Sequence, residues 1–391
     1  MKISSVVPAA QRLTWLDTMR GICILWIAFF HFFITYDNGR FPWPLNLKTF
    51  FPFVSDCGAG SGILSCTLDA LLAALFERGP QAVGVFIILS GFGLTYSLTR
   101  TGFPKDGWAG WYGKRLLRLF PMYWLAHLIY LISPLVYKHD PVDYRFLLSF
   151  LGDRVFPVDA MFYYINPAWW YFGLILELCV VYPLLFRTMQ KVGVAWFLVL
   201  SGLITLSSRF LLHFVFHAHW NYVQGAFFGA RLWEFAVGMA LAFFFRKRPE
   251  DVIRHLFSWP MLLAGILVYN LGVYAYQPNI AFICSDALMG TGLFVIIAHV
   301  ARWISAVPLL GRALPPVGVY CYSVYLLHQP YVMYFGKQFV GLSMPLYVVF
   351  ACIVLAVICW SGIALERLVN RWVSLMEGRL KLISSPPAIA G

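Results

Sequence analysis

The sequence predicts an all-α membrane protein, a bundle of about ten transmembrane helices, and three observations predict it. Of its 391 residues, 61% are hydrophobic and 12% charged, where soluble domains carry roughly 25% charged residues. Apolar runs near 20 residues recur along the chain, the length an α-helix needs to cross the hydrocarbon layer. Aromatic residues reach 18% and include 15 Trp, a bias of proteins whose rings sit at the membrane–water interface. A transmembrane barrel would show short alternating segments instead. The net charge of +12 is what basic cytoplasmic loops leave on such a protein, so the composition gives no reason to invoke nucleic acid.

Taken in order, the spans are predicted at 14–36, 80–99, 119–137, 168–187, 193–213, 226–245, 259–276, 280–300, 317–336 and 344–365. The first run begins near Leu13 and ends without a small-residue cleavage pattern, so it reads as a retained helix and not as a signal peptide. Between the first two spans, Thr67 to Phe76 is apolar but too short to cross, and reads as an interfacial helix or a re-entrant piece. In the same loop, Cys57 and Cys66 would face an oxidising compartment, where a disulfide and two free thiols are both tenable. The other six Cys read as small core residues. The loop 138–166 carries Asp140, Asp143, Asp153, Asp159, Tyr163 and Tyr164, a set that suits a solvated loop and also a sugar contact.

Charge placement gives the orientation. With the N-terminus inside, 19 of the 29 Lys and Arg fall in cytoplasmic segments, seven in outer segments, and Arg20, Arg209 and Arg231 inside helices. That asymmetry predicts an N-in, C-in arrangement with an even number of spans. The chain then divides into a cytoplasmic N-terminus (1–12), a membrane domain (13–366) and a cytoplasmic tail (367–391), disordered from Ser384 on.

An ionisable group inside a span costs at least ~2.5–3.5 kcal/mol near mid-bilayer and usually marks a functional interior. Arg20, His31, Glu177, Arg231, Glu234 and His328 stand out, with His127 and Asp286 beside them. Their number predicts one polar cavity inside the bundle. Arg20 and His31 are eleven residues apart, close to three helical turns, so they share a face roughly 16 Å apart along the axis. That is comparable to the reach of an extended pantetheine arm, and His moves protons near neutral pH. A satisfied core His with an Arg reaching for the headgroups explains the same spacing. Arg115 and Arg118, one turn apart, can grip phosphate, though basic residues are routine at that position. Glu177 needs a cation or a proton, and Arg20, Arg231 and His31 are its candidate partners. Glu234, three residues after Arg231, can pair along its own helix. His328 precedes Pro330, which frees backbone carbonyls as in cavity-lining helices.

Together these segments resemble the acyltransferase 3 family of integral-membrane acyltransferases. Leu16-Asp17-Thr18-Met19-Arg20-Gly21 running on to His31 resembles its Arg-x10-His signature, and Phe86-Ile87-Ile88-Leu89-Ser90-Gly91-Phe92 its second-helix motif. Arg115-Leu116-Leu117-Arg118-Leu119-Phe120-Pro121 is similar to its Arg-x-x-Arg element. The aromatic run Trp169-Trp170-Tyr171-Phe172 leading to Glu177, Arg231-Leu232-Trp233-Glu234-Phe235, and Tyr322-Ser323-Val324-Tyr325-Leu326-Leu327-His328-Gln329-Pro330 follow in the family's order.

The resemblance implies a multi-pass protein of the bacterial inner membrane. It implies an acyl-CoA donor, usually acetyl-CoA, reaching from the cytoplasm, and an acceptor hydroxyl on a cell-surface glycan or lipid-linked saccharide. No metal is expected. On this reading His31, Arg20 and Glu177 are catalytic, while Arg115, Arg118 and Ser90 hold the donor. Arg231, Glu234 and His328 line the remaining cavity. The extracytoplasmic hydrolase-like domain that many family members add is not expected here. The rival reading is a transporter or flippase of a glycan intermediate, which explains intramembrane charge but gives no reason for the Arg-x10-His spacing.

Overall fold

The computed structural model describes residues 13–103, 107–277 and 279–384. Sixteen α-helices follow one another: α1 (Thr14–Asp37), α2 (Leu47–Ser61), α3 (Ile63–Glu77), α4 (Ala82–Thr101), α5 (Gly107–Ile132), α6 (Tyr144–Phe150), α7 (Val158–Met161) and α8 (Trp170–Val192). The chain continues through α9 (Val194–Phe210), α10 (Leu232–Lys247), α11 (Pro249–Leu256), α12 (Trp259–Ala275), α13 (Phe282–Ser305), α14 (Pro308–Val319), α15 (Cys321–Gln338) and α16 (Met344–Ser384). No strand occurs among the described residues. The expected N-terminal segment 1–12 and the tail beyond Ser384 lie outside them.

Among the described residues, seven helical segments are long and apolar enough to cross a membrane, and an eighth if the bent pair α11–α12, which turns by 63°, counts as one. The expected ten included two more, at 119–137 and 317–336. Both positions are helical, in α5 and α15, but Arg115, Arg118 and Lys114 in one and His328, Gln329 and Lys337 in the other lower their hydropathy. The outward surface is that of a lipid-embedded bundle, with large apolar side chains on show: Leu203 on α9 (57% exposed), Leu267 on α12 (62%) and Trp360 on α16 (73%). Water would penalise such a surface, and acyl chains would not.

Glycines bring the central helices together. Helix α4 packs most closely on α10, and the contact is made at Gly91 and Gly238. A Cβ on Gly238 would stand 1.9 Å from Ile88 O, and one on Gly91 would stand 2.1 Å from Phe235 O. A seam of small residues lets backbones meet without a hydrophobic drive, which lipid does not supply. Helix α1 meets α14 the same way, where a Cβ on Gly318 would lie 1.7 Å from Asp17 O.

The loop between the first two spans is more ordered than the sequence suggested. It forms α2 and α3, joined by a Cys57–Cys66 disulfide, so the short apolar stretch 67–76 is part of a 15-residue helix. The solvated-loop reading of 138–166 is also corrected in part. Arg154 is fully buried there and donates to Ser149 Oγ (2.5 Å), Tyr164 O (2.7 Å) and Asn166 O (3.0 Å). Asp140 accepts from Ile165 N at 2.8 Å. Asp143 does behave as a surface group, and the Arg145 guanidinium holds its carboxyl below the usual range.

Candidate functional site

Helix α1 begins with an acidic residue, Asp17, in its first turn, where negative charge suits the helix dipole. It runs unbroken for 24 residues to Asn38, which closes it in the left-handed conformation. Its continuity puts Arg20 and His31 on one face, and both line a cavity of about 1310 Å³. Arg20 Nη1 donates to Asp17 Oδ1 at 2.9 Å. Across from it α4 offers Gly93, where even a Cβ would come within 3.6 Å of Arg20 Nη2.

His31 sits against α15. Its Nδ1 is 3.4 Å from Gln329 Nε2, and its ring centroid is 5.2 Å from that of His328. Gln329 has a fixed orientation, because its Oε1 accepts the Ala168 N–H at 2.6 Å and so turns the amide nitrogen toward His31. His328 Nδ1 lies 2.8 Å from Tyr325 O. A carbonyl can only accept, so Nδ1 carries the proton there.

The other candidates divide. Ser90, Arg115, Arg118, Arg231 and His328 line the same cavity. Ser90 Oγ is 3.3 Å from Tyr171 OH, also a lining residue. Arg115 lies over the Trp111 ring at 5.4 Å, and Arg118 is exposed. Pro121 is accommodated inside α5, so the two arginines ride on the same helix that enters the bundle.

Glu177 is a correction. It does not line the cavity, and its partner is none of the three expected. Its Oε2 accepts the Phe228 N–H at 2.8 Å. The backbone is irregular on either side of Phe227, between Tyr222–Ala226 and Phe228–Arg231, and leaves an N–H there for a side chain to satisfy. His127 is a satisfied core histidine, held by Tyr123 O at 2.9 Å and Ser149 Oγ at 2.8 Å.

Arg231 and Glu234 do approach each other along their own segment, with Nε 3.2 Å from Oε1. The N–H is not aimed at that oxygen, and both Glu234 carboxylate oxygens are buried without a hydrogen-bond partner among the described residues. The pair belongs to a larger buried group. Arg231 Nη1 is 3.0 Å from Asp286 Oδ1, while Asp286 Oδ2 bonds Arg209 of α9. Arg209 is fully buried and also reaches Val223 O and Phe282 O. Two cations and two carboxylates from α9, the approach to α10, α10 and α13 thus neutralise one another. The sequence places Arg209 inside a helix without marking it as a site residue; the further signal available was Asp286, an unmatched acid on a separate apolar run.

The family model described as an acyltransferase domain, acyltransferase 3, matches residues 13–365. No curated protein and no solved structure matches the chain. The match takes in every helix that lines the cavity and nearly the whole described chain, and with its apolar helices it makes the protein a multi-pass membrane acyltransferase that belongs to the acyltransferase 3 family.

Proposed function

We propose that this acyltransferase moves an acetyl group from cytoplasmic acyl-CoA to a hydroxyl of a cell-surface glycan or a lipid-linked saccharide. It does so in the bacterial inner membrane, in a bundle of ten spans with both termini inside, α5 and α15 being the two crossing helices that carry polar groups on their inner faces. One observation supports the reading above the others. Arg20, His31, Ser90, Arg115 and Arg118, brought by α1, α4 and α5, open on a single cavity of about 1310 Å³, larger than the ~300–1,000 Å³ of ordinary small-molecule sites.

Arg115 and Arg118 take the CoA phosphates through charge-assisted hydrogen bonds. Arg20, oriented by Asp17, positions the pantetheine arm and the thioester. His31 takes the acceptor's hydroxyl proton on Nε2 as the oxygen bonds to the carbonyl carbon. The carbon–sulfur bond breaks, and the thiolate recovers the proton as free CoA. A transient acyl-His31 would use the same nitrogen as nucleophile. Ser90 and Tyr171, whose hydroxyls meet at 3.3 Å in the cavity lining, supply hydrogen bonds to the developing oxyanion. Glu177, bonded to the Phe228 N–H and not among the cavity's lining residues, is given no part in these steps.

Native membrane vesicles given acetyl-CoA should release free thiol and gain base-labile acetyl on envelope glycans. Mass spectrometry of surface glycans should show that ester lost when the gene is deleted. Glycans unchanged by deletion, with acetyl-CoA left intact, would sink the proposal and favour the transporter reading.

A further inference from the structure

His328 presents a chemical oddity that the steps above do not use. It is fully buried, with 0% exposure. Its Nδ1–H is committed to Tyr325 O, so its Nε2 holds a lone pair and can only accept while the ring is neutral. That nitrogen has no hydrogen-bond partner among the described residues. The imidazole ring of His31 lies beside it, with ring centroids 5.2 Å apart.

His31 needs such an acceptor. For Nε2 to take a proton or attack a carbonyl, the neutral ring must carry its proton on Nδ1, and some group must accept that N–H. Gln329 cannot serve. Ala168 fixes its oxygen, so it turns an NH2 donor toward His31 Nδ1, at a long 3.4 Å. That contact suits only the tautomer in which Nε2 is already protonated and inactive. Two neighbours on one helix therefore compete for a single nitrogen, Gln329 favouring the idle tautomer and His328 the active one.

We propose that His328 is the positioning residue for His31: its Nε2 accepts the His31 Nδ1–H after a small turn of the ring and frees His31 Nε2 for proton transfer. The inference rests on His31 acting as proposed above. It assigns to a neutral imidazole the orienting part that a carboxylate plays in a Ser-His-Asp triad. A neutral partner brings no additional charge into the bundle.

The test compares His328→Leu with His328→Gln in native membrane vesicles, following thiol release and acetyl transfer from acetyl-CoA. Leu removes the acceptor, while Gln offers a carbonyl oxygen in its place. In His328→Leu, kcat should fall about 100-fold or more, within the ~10²–10⁴ range of acid–base catalysis, with KM for acetyl-CoA unchanged. His328→Gln should recover at least tenfold of that loss. A Leu variant within threefold of wild type would overturn the proposal, as would a Gln variant that binds acetyl-CoA yet is no better than Leu. If wild-type vesicles themselves fail to cleave acetyl-CoA, the fault lies with the proposed function and not with His328.

A second measurement needs no variant at His328. In wild-type protein labelled with 15N-histidine and saturated with an acetyl-CoA thioether analogue, His31 Nδ1, assigned by its loss in His31→Gln, should give the shift of a protonated ring nitrogen. An unprotonated shift at Nδ1 overturns the proposal.

Discussion

At the scale of the residue, two expectations follow from the shared cavity. His31→Ala should lower acyl transfer by about 10²–10⁴-fold while expression and size-exclusion behaviour stay near wild type, since the residue faces open space and not a packed core. Activity retained in purified protein would remove His31 from the mechanism. Arg115→Ala combined with Arg118→Ala should weaken acetyl-CoA binding far more than acceptor binding, as titration calorimetry against each ligand would show. That Arg20 and His31 share a helix face, as do Arg115 and Arg118, was legible because spacing along one helix is a property of the sequence. The neighbours of His31 were not. Gln329 stands 298 positions away, and only the packing of α1 on α15 brings it close. Glu177 misled for the same reason, because a carboxylate in an apolar run announces a need for a partner without saying that the partner is a backbone N–H.

At the scale of the element, the seam between α4 and α10 carries the close approach that shapes the site, since Ser90 precedes Gly91. Gly238→Val should destabilise the fold by about 1–3 kcal/mol or more, the usual range for overpacking. The melting temperature in detergent should drop, and transfer should fall through displacement of Ser90. An unchanged melting temperature would refute the close contact. Long uniform runs such as α1, α9, α12 and α13 were readable within a few residues, since apolar length alone predicts them. Helix α2 was not, and of α3 only the stretch 67–76 was read, as an interfacial helix or a re-entrant piece. Gly58, Gly60 and Gly62 look like loop composition, and it is the Cys57–Cys66 bond with packing of α3 on α1 that accompanies helix there. Helix α5 runs upstream of the expected span, which opens at 119, because Lys114, Arg115 and Arg118 interrupt the apolar run that marks a crossing segment.

At the scale of the whole molecule, the quartet Arg209, Asp286, Arg231 and Glu234 links helices that are far apart in the chain and borders the cavity through Arg231 and Asp286. Asp286→Ala leaves two buried guanidinium groups facing one carboxylate. Breaking a buried pair in this way costs about 3–5 kcal/mol, so thermal denaturation should show a large loss of stability. Asp286→Ala paired with Arg209→Met restores neutrality and should recover part of it. No recovery would mean that the charges act independently. Orientation is testable with single cysteines: the proposed arrangement expects residues near Arg115 and Arg254 to react with a membrane-impermeant thiol reagent only after the inner face is opened.

The Cys57–Cys66 cross-link has a practical corollary for handling the protein. It staples two helices whose flanks, at Trp43, Pro44 and Asn46 and at Glu77 and Arg78, line part of the cavity. Dithiothreitol in a purification buffer would therefore loosen the doorway without touching the chemistry inside. Preparations made with and without reductant should differ in how they admit bulky acceptors, and an expression host unable to oxidise thiols would deliver the loosened form from the start.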